Sequence, residues 1–331
     1  MERDPLSDVL QTVRLSGAVF FLWEPGRPFA MAVPDGGAFT RAVMPGAGQI
    51  VSYHIVTAGT CWGGLLGQAP VELREGDILL LPRGDAYAIA DSADNCRNAE
   101  VDLPFTLGFF GRMAAGELPF VVRGQEPEAG RSPELVCGFL GCDLQPFNPV
   151  LAALPPMVRL RPDGSAPTSR LQALLEHVVG EARRPGPGSQ CVVTRLGELL
   201  FVEVVRHCLT LGREDAADWL GALDDPVAGR ALVLMHREPA RRWTLDTLAS
   251  RLGVSRTRLA ERFTRRVGQP PMQYLARWRL QLAVRLLGER RMKVAAVARE
   301  VGYESEAAFS RAFKRALGVS PARWAREPDR Q

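Results

Sequence analysis

The sequence predicts an α+β multidomain protein with an N-terminal β-barrel and helical hairpin, followed by an all-α double helix-turn-helix region. Three observations support this fold class. From Gly17 to about Cys142, short apolar or alternating runs are separated by turn residues, which is typical of barrels and sandwiches. From Thr168 the apolar residues recur at helical spacing. In the last hundred residues, one helix-turn-helix pattern occurs twice.

The first predicted element is a short helix over residues 4–14, because Asp4 can cap it and Pro5 suits its first turn. A barrel over residues about 15–165 follows. Its predicted strands are Ala18–Trp23, Phe29–Val33, Ile50–Thr57, Val71–Leu73, Ile78–Leu81, Tyr87–Ala90, Phe105–Phe110 and Leu135–Phe139.

One barrel segment, Gly76–Tyr87, is more specific than the others. It fits the pattern G-x5-P-x-G-x2-H except at its last position, and so resembles part of the cupin barrel motif. In metal-binding cupins that last position is a histidine ligand, and an H-x-H sequence supplies two more. Here Tyr87 replaces that histidine, His54 is the only histidine of the barrel region, and no H-x-H occurs. A single imidazole is a poor metal site, so we predict a structural strand with no metal or cofactor.

Two helices at about 168–211 are predicted to form an antiparallel hairpin. The hairpin either packs against the barrel or mediates dimerisation. Residues 212–225 are acidic and are interpreted as a linker. The predicted division is therefore a sensor and dimerisation domain at 1–211 and a DNA-binding domain at 226–331.

The duplicated pattern consists of apolar residues at helical spacing around a glycine turn. The two copies are Leu245, Leu248, Leu252, Gly253, Leu259 and Phe263, then Val294, Val297, Val301, Gly302, Phe309 and Phe313. Between them, Pro270–Gly288 is predicted as one helix of roughly 28 Å. Since successive major-groove faces lie about 34 Å apart, this connector suits two helices that enter adjacent turns of one duplex.

Charge is unevenly distributed along the chain. Residues 226–331 contain 23 Lys+Arg and 9 Asp+Glu, a net charge of +14, whereas the rest of the chain carries −10. Such asymmetry indicates a segment that binds nucleic acid, attached to a body that does not.

The candidate DNA contacts are the outward and flanking positions of the second helix in each copy. They are Thr257, Arg258, Glu261, Arg262, Arg265, Ser305, Ala307, Ser310, Arg311, Lys314 and Arg315. Arginine and short polar side chains can reach base edges or hold phosphates. The alternative is a solvated helix face, which the duplication and the charge make the weaker interpretation.

The segments Val301–Ser305, Phe309–Lys314 and Gly318–Trp324 resemble the AraC/XylS family of transcription regulators. The N-terminal half is similar to the cupin-type sensor domain found on some members. The resemblance implies an effector-responsive activator or repressor that contacts promoter DNA and RNA polymerase. It also implies that Thr257, Glu261 and Arg311 face bases, with Glu261 standing where some members have arginine.

The sensed signal is left open between two kinds of effector. One is a small apolar or aromatic molecule held in the barrel. The other is an oxidant that acts on Cys61, Cys96, Cys137 or Cys142, of which Cys96 is expected in an exposed polar loop beside Arg97. The alternative for these cysteines is burial as small apolar residues. Cys137 and Cys142 can meet only if the intervening glycines turn the chain.

We therefore expect a sequence-specific DNA-binding transcription regulator that is not an enzyme. The N-terminus lacks a signal peptide and no apolar run is long enough for a membrane span, which predicts a cytoplasmic protein, with a homodimer as one possible state. Two other interpretations remain. One is a metal-dependent cupin enzyme fused to a DNA-binding tail, and the other is a nucleoid-type protein that binds DNA without regard to sequence.

Overall fold

The computed structural model describes residues 4–12, 15–124, 132–142, 147–161, 166–184, 186–210, 219–289 and 292–326. The chain divides into two compact units. The barrel unit consists of residues 15–143 and 154–208. The helical unit consists of residues 1–14, 144–153 and 209–331.

Two sheets form the framework of the barrel unit. The first has the order β10-β6-β3-β9-β1-β8 and the second has the order β2-β7-β4-β5. All neighbouring strands are antiparallel except β1 and β8. The strands are β1 (Leu15–Glu24), β2 (Ala30–Val33), β3 (Gln49–Ala58), β4 (Thr60–Leu65), β5 (Val71–Arg74), β6 (Ile78–Leu81), β7 (Tyr87–Ala90), β8 (Val121–Arg123), β9 (Glu134–Cys142) and β10 (Val158–Leu160).

An aromatic cluster fills the core of the barrel unit. Phe139 on β9 lies 5.3 Å from Phe39 and 5.1 Å from Phe110, measured between ring centroids. Phe39 and Phe110 come from α2 (Gly36–Val43) and α4 (Leu103–Ala114), and their rings meet edge to face at 5.1 Å. These packed side chains form the hydrophobic core of the barrel unit.

Helix α4 contradicts the prediction of a strand at Phe105–Phe110. Its start is fixed by Asp102, whose Oδ1 accepts a hydrogen bond from the Phe105 N–H at 3.0 Å, and by a proline in the first turn. Thr106, Phe110 and Met113 are buried at helical spacing. A short run of aromatic residues fits a strand or a buried helix equally well, and here the capping residue decides for the helix.

The predicted helical hairpin is formed by α6 (Ala166–Arg183) and α7 (Ser189–Thr210). Helix α7 packs on the barrel through Gly197. A Cβ at this position would lie 2.6 Å from Cζ of Phe20 and 2.9 Å from the hydroxyl of Tyr53, so a larger residue would displace these rings. Packing against the barrel, one of the two predicted roles of the hairpin, is thus present; dimerisation stays a prediction.

The helical unit includes parts of the N-terminal half. Its helices are α1 (Pro5–Thr12), α5 (Pro149–Ala153), α8 (Trp219–Ala222), α9 (Ala228–Arg237), α10 (Leu245–Leu252), α11 (Arg256–Val267), α12 (Pro271–Glu289), α13 (Val294–Glu300), α14 (Glu306–Leu317) and α15 (Pro321–Trp324). A remaining short helix, α3 (Ala93–Arg97), belongs to the barrel unit. Sequence patterns placed α1 and α5 with the sensor domain, but their long-range contacts are with the helical unit.

The predicted linker is shorter than 212–225 in the structure. Residues 211–218 lie outside the described residues. Trp219 and Leu220 are buried in the helical unit, and the Asp225 side chain is only 1% exposed. The predicted linker extends too far at its C-terminal end, because Asp225 is part of the folded unit. Its partners, Arg262 and Arg266, lie about forty residues further along the chain, beyond the reach of a local pattern.

None of the helices in the described ranges is both long and apolar enough to cross a membrane.

Candidate nucleic-acid interface

Local sequence signals position the first helix-turn-helix pair, α10 and α11. Thr244 and Thr247 form a reciprocal cap at the start of α10. Gly253 ends α10 in the left-handed conformation at φ +69°. The Ser255 hydroxyl then accepts a hydrogen bond from the Arg258 N–H at 3.2 Å and starts α11. The turn between the helices is therefore defined by its own residues.

The second pair, α13 and α14, has the same arrangement with a longer turn. Gly302 has φ +86°, and a Cβ there would lie 2.7 Å from the Cα of Ala240. The Ser305 hydroxyl accepts from the Ala308 N–H at 3.2 Å and caps α14. Ser305, a predicted DNA contact, thus has a structural role at the start of the helix.

The buried faces of α11 and α14 match the sequence prediction. Leu259, Phe263, Phe309 and Phe313 are fully buried. The opposite faces present most of the predicted DNA contacts. Exposed on α11 are Thr257, Arg258, Glu261 and Arg265; exposed on α14 are Ala307, Arg311, Lys314 and Arg315, while Ser310 is half-buried.

Arg262 differs from the other predicted contacts because it binds a carboxylate of its own chain. Its Nε lies 2.7 Å from Oδ2 of Asp225, and Nε of Arg266 lies 3.2 Å from the same oxygen. Asp225 also accepts hydrogen bonds from the N–H groups of Val227 and Ala228, at 3.0 and 2.9 Å. Arg262 therefore has a carboxylate partner within its own chain, and its role as a DNA contact stays a prediction.

Asp225 is ionised in this setting. Burial would raise its pKa, but the hydrogen bonds from Ala228, Val227 and Arg262, together with the guanidinium charge, outweigh burial and hold the pKa below its usual value. Sequence analysis missed this residue because it was assigned to the linker. The available signal was its position just before Pro226, because aspartate is a preferred cap and proline suits the first turn of a helix.

Helix α12 connects the two pairs. It spans Pro271–Glu289, close to the predicted Pro270–Gly288, and its 19 residues correspond to roughly 28 Å. Tyr274 and Trp278 are buried on its inner side. Trp278 stacks on His236 of α9 with ring centroids 4.1 Å apart. The helix is thus anchored to α9 by aromatic packing.

A buried polar cluster surrounds this anchor. The Trp219 indole N–H donates to the hydroxyl of Tyr274 at 2.9 Å, and His236 Nε2 lies 2.8 Å from the same hydroxyl. His236 Nδ1 is 3.5 Å from Oδ2 of Asp8 on α1. Burial lowers the pKa of His236 even though Asp8 opposes the shift. We infer a neutral imidazole near pH 7.

In the barrel unit, Tyr87 stands at the position of a cupin metal ligand. It contacts His54, which in turn contacts Cys137. His54 Nε2 is 2.9 Å from the Tyr87 hydroxyl, and His54 Nδ1 is 3.1 Å from Sγ of Cys137. Burial lowers the pKa of His54 to about 3. Within the described residues, no group of three or more His, Cys, Asp or Glu side chains could hold a metal ion.

The four candidate redox cysteines are buried, which was the alternative that the sequence left open, and Cys96 differs from its expected exposure. Cys96 lies in α3, not in an open loop, and is 4% exposed. Burial raises its pKa to about 11, against a smaller opposing effect of Arg97. Burial likewise raises the pKa of Cys61 to about 12 and that of Cys137 well above its usual value. Such thiols are mostly protonated at neutral pH, which slows oxidation.

Cys137 and Cys142 lie on one continuous strand. Strand β9 pairs with β3 from Gln49 opposite Cys142 through His54 opposite Cys137 without a break. Five residues of strand correspond to roughly 17 Å, so the two sulfurs do not meet. All six cysteines are free thiols, and Cys191 is the exposed one.

Comparison with known proteins gives a consistent result for both halves. The family model described as Cupin matches residues 4–210, and the model described as Helix-turn-helix domain matches residues 248–327. A protein from Streptomyces antibioticus named as an AraC-like transcription regulator is 32% identical over 98% of this chain and 99% of its own.

Two further relatives also match over most of this chain. A protein from Streptomyces lividans with the same name is 32% identical over 98% of this chain and 99% of its own length. The HTH-type transcriptional regulator AlkR of Acinetobacter baylyi is 31% identical over 81% of this chain and 85% of its own length. All three are named as regulators of transcription and none as an enzyme.

Proposed function

Because this chain belongs to the AraC-like family of DNA-binding transcription regulators, we propose that α11 and α14 read two adjacent major-groove segments of one promoter. The observation that carries the proposal is the matched pair of exposed faces, one on each helix, opposite fully buried aromatic or aliphatic residues. Helix α12, with a length of roughly 28 Å, supports a spacing close to the roughly 34 Å of one helical turn of DNA.

We assign different roles to the residues of α11. Thr257 and Glu261 lie one helical turn apart on the exposed face and contact bases. A glutamate accepts a hydrogen bond from the amino group of cytosine and repels phosphate, so Glu261 selects for cytosine where it enters the groove. Arg258 and Arg265 hold the phosphates on either side, whereas Arg262 positions the helix through Asp225.

Helix α14 has a more basic exposed face. Arg311 is the candidate for bidentate contact with guanine, and Lys314 and Arg315, exposed at the end of the helix, are candidates for phosphate contacts. Ala307 offers a methyl contact to thymine. Ser305 and Ser310 are secondary candidates, since Ser305 caps the helix and Ser310 is half-buried.

The specific-binding proposal is tested by selecting random duplex DNA with the purified full-length protein. Enrichment of a defined motif supports it. If the protein retains DNA but enriches no motif, and if this binding weakens steeply as the salt concentration rises, the protein binds DNA without reading its sequence. A repeat of the selection after mild oxidation shows whether an oxidant changes the motif.

The barrel unit is proposed to receive the signal that controls the DNA-binding half. A small molecule is favoured over an oxidant, because Cys61, Cys96, Cys137 and Cys142 are all buried. If oxidation is the signal, Cys96→Ser or Cys137→Ser abolishes the response; an intact response in both variants excludes these two thiols.

RNA polymerase and a second copy of the chain are further proposed partners. Helix α7 exposes Val192 and Leu199, which are 43% and 45% exposed and lie two turns apart on one face. Such a stripe suits pairing with an identical helix. Sedimentation of wild type and of Leu199→Arg tests it: a dimer that the variant dissociates supports the proposal, and a wild-type monomer at all concentrations rejects it.

A further inference from the structure

A pocket of about 370 Å³ opens in the barrel unit beside α4. One side is aromatic, with Trp23 from β1 and with Phe105 and Phe109 from α4. Met31 of β2 and Val122 of β8 add apolar surface. A concave apolar site of this size can enclose a small organic molecule, and it borders the core of the barrel unit, to which Trp23 also belongs.

Phe105 is the unusual residue of this pocket. Its side chain is 60% exposed although α4 buries its opposite face with Thr106, Phe110 and Met113. Its ring lies nearly parallel to that of Phe109, with centroids 6.1 Å apart and an interplanar angle of 15°. An exposed phenylalanine that lines a cavity indicates a binding surface, because burial in the fold does not explain it.

The charged groups at the pocket are mainly acidic. Glu100 and Asp102 line it, and the single guanidinium, Arg123, is paired with Glu24 through an Nε to Oε2 distance of 2.8 Å. Glu100 is exposed and makes no ion pair within the described ranges. Together, the carboxylates of Glu100, Asp102 and the adjacent Glu24 and the guanidinium of Arg123 carry a net charge of −2.

We propose that this pocket binds an organic cation with an apolar or aromatic body, of the quaternary ammonium class. Aromatic faces attract a weakly hydrated cation, and nearby carboxylates favour positive charge while disfavouring anions. The apolar body of the ligand covers Phe105 and Met31. That this ligand is the effector of a transcription regulator rests on the proposed function. That the pocket binds the ligand does not.

The position of Phe109 provides a route from the pocket to the core. Its ring packs edge to face on Phe110 at 4.9 Å and on Phe21 at 5.9 Å. Phe110 in turn contacts Phe39 and Phe139. A ligand that displaces Phe109 therefore acts on the aromatic cluster that holds α2, α4 and β9 together.

The test is calorimetric titration of the full-length protein with 4-hydroxyphenyltrimethylammonium and with its uncharged isostere 4-tert-butylphenol. We expect the cation to bind roughly tenfold more tightly than the isostere, since the two differ only in charge. Equal affinities, or no binding of the cation, overturn the proposal.

Variants locate the binding site. Phe105→Ala should weaken binding of the cation roughly tenfold and Glu100→Gln roughly threefold. The matched control is Leu103→Ala, which removes a 42% exposed side chain from the same helix without changing the pocket lining. Unchanged affinity in Phe105→Ala, or equal losses in Phe105→Ala and Leu103→Ala, rejects this site.

Thermal unfolding followed by circular dichroism confirms that each variant is folded. Selection of DNA by the same preparations separates this inference from the proposed function. If the cation binds and no DNA motif is enriched, the proposed function fails and the binding site stands. If a motif is enriched and the cation does not bind, the inference fails alone.

Discussion

Asp225 and Arg262 form a buried ion pair that joins the segment before α9 to α11. The Oδ2 to Nε distance is 2.7 Å, and the side chains are 1% and 34% exposed. The same carboxylate accepts hydrogen bonds from two N–H groups at the start of α9. Asp225 thus fixes the position of α11 against α9. It thereby also sets the direction in which the exposed face of α11 points.

Asp225→Asn is expected to destabilise the helical unit by about 2 kcal/mol, because removing one partner of a buried ion pair leaves the other charge poorly compensated. Urea denaturation followed by circular dichroism measures the change. The control is Glu304→Gln, which breaks a 3.5 Å pair with Arg242 between highly exposed side chains and should cost less than about 0.5 kcal/mol. Equal losses in the two variants would contradict the assigned role of Asp225.

The contribution of Asp225 to stability should depend on pH. Its pKa in the folded chain is lower than the usual value of about 3.9, so its stabilising effect is complete above that value. The effect is lost as pH falls through the folded pKa. The difference in unfolding free energy between wild type and Asp225→Asn should therefore be constant from pH 7 to 5 and narrow below pH 4. A difference that stays constant at pH 3 would show that the carboxylate charge contributes nothing.

Two turn glycines provide a matched pair. Gly253 and Gly302 both have positive φ, of +69° and +86°. A Cβ at position 253 meets no atom within 4 Å, whereas one at position 302 lies 2.7 Å from the Cα of Ala240. Gly253→Ala should cost about 1 kcal/mol from backbone strain alone, and Gly302→Ala about 3 kcal/mol, because the backbone must also shift. Equal costs in urea denaturation would mean that the close approach to Ala240 is not maintained.

Thiol labelling should distinguish the cysteines by burial. In the native protein we expect fast reaction with Ellman's reagent at Cys191, the exposed thiol, and slow reaction at Cys61, Cys96, Cys137 and Cys142. Cys191→Ser should remove the fast phase, and denaturant should restore reaction at the remaining thiols. Fast labelling of Cys96 in native Cys191→Ser protein would instead support the oxidant-sensing alternative.

The parts of this fold that sequence predicts well depend on local patterns. The duplicated helix pairs and α12 were predicted because periodicity, capping residues and turn glycines all lie within a few residues of one another. The barrel strands were mostly predicted from their apolar runs. The exposed faces of α11 and α14 follow directly from the buried positions of Phe263 and Phe313.

The incorrect sequence predictions have two causes. Some residues have partners that are distant in the sequence, and some sequence patterns are ambiguous. Asp225 was assigned to a linker because its ion-pair partner lies 37 residues away. Cys96 was expected to be exposed because its neighbours are polar, yet its thiol donates to the carbonyl of Ala88 at 3.5 Å inside the fold. The association of α1 with the helical unit includes a contact with Gln281, whose side-chain N–H donates to the Thr12 carbonyl, 269 residues away in the chain.

The central claim is that α11 and α14 of one chain read two separate DNA elements. The most direct test compares random-duplex selection by wild type, Glu261→Gln, Arg311→Ala and the control Arg230→Ala, which removes an exposed arginine from α9. The account predicts two elements about 10 base pairs apart in the wild-type motif. Arg311→Ala should relax one base position in one element at a cost of about 1–3 kcal/mol, and Glu261→Gln should alter only the other. A single element, or changes at the same positions in both variants, would contradict the account.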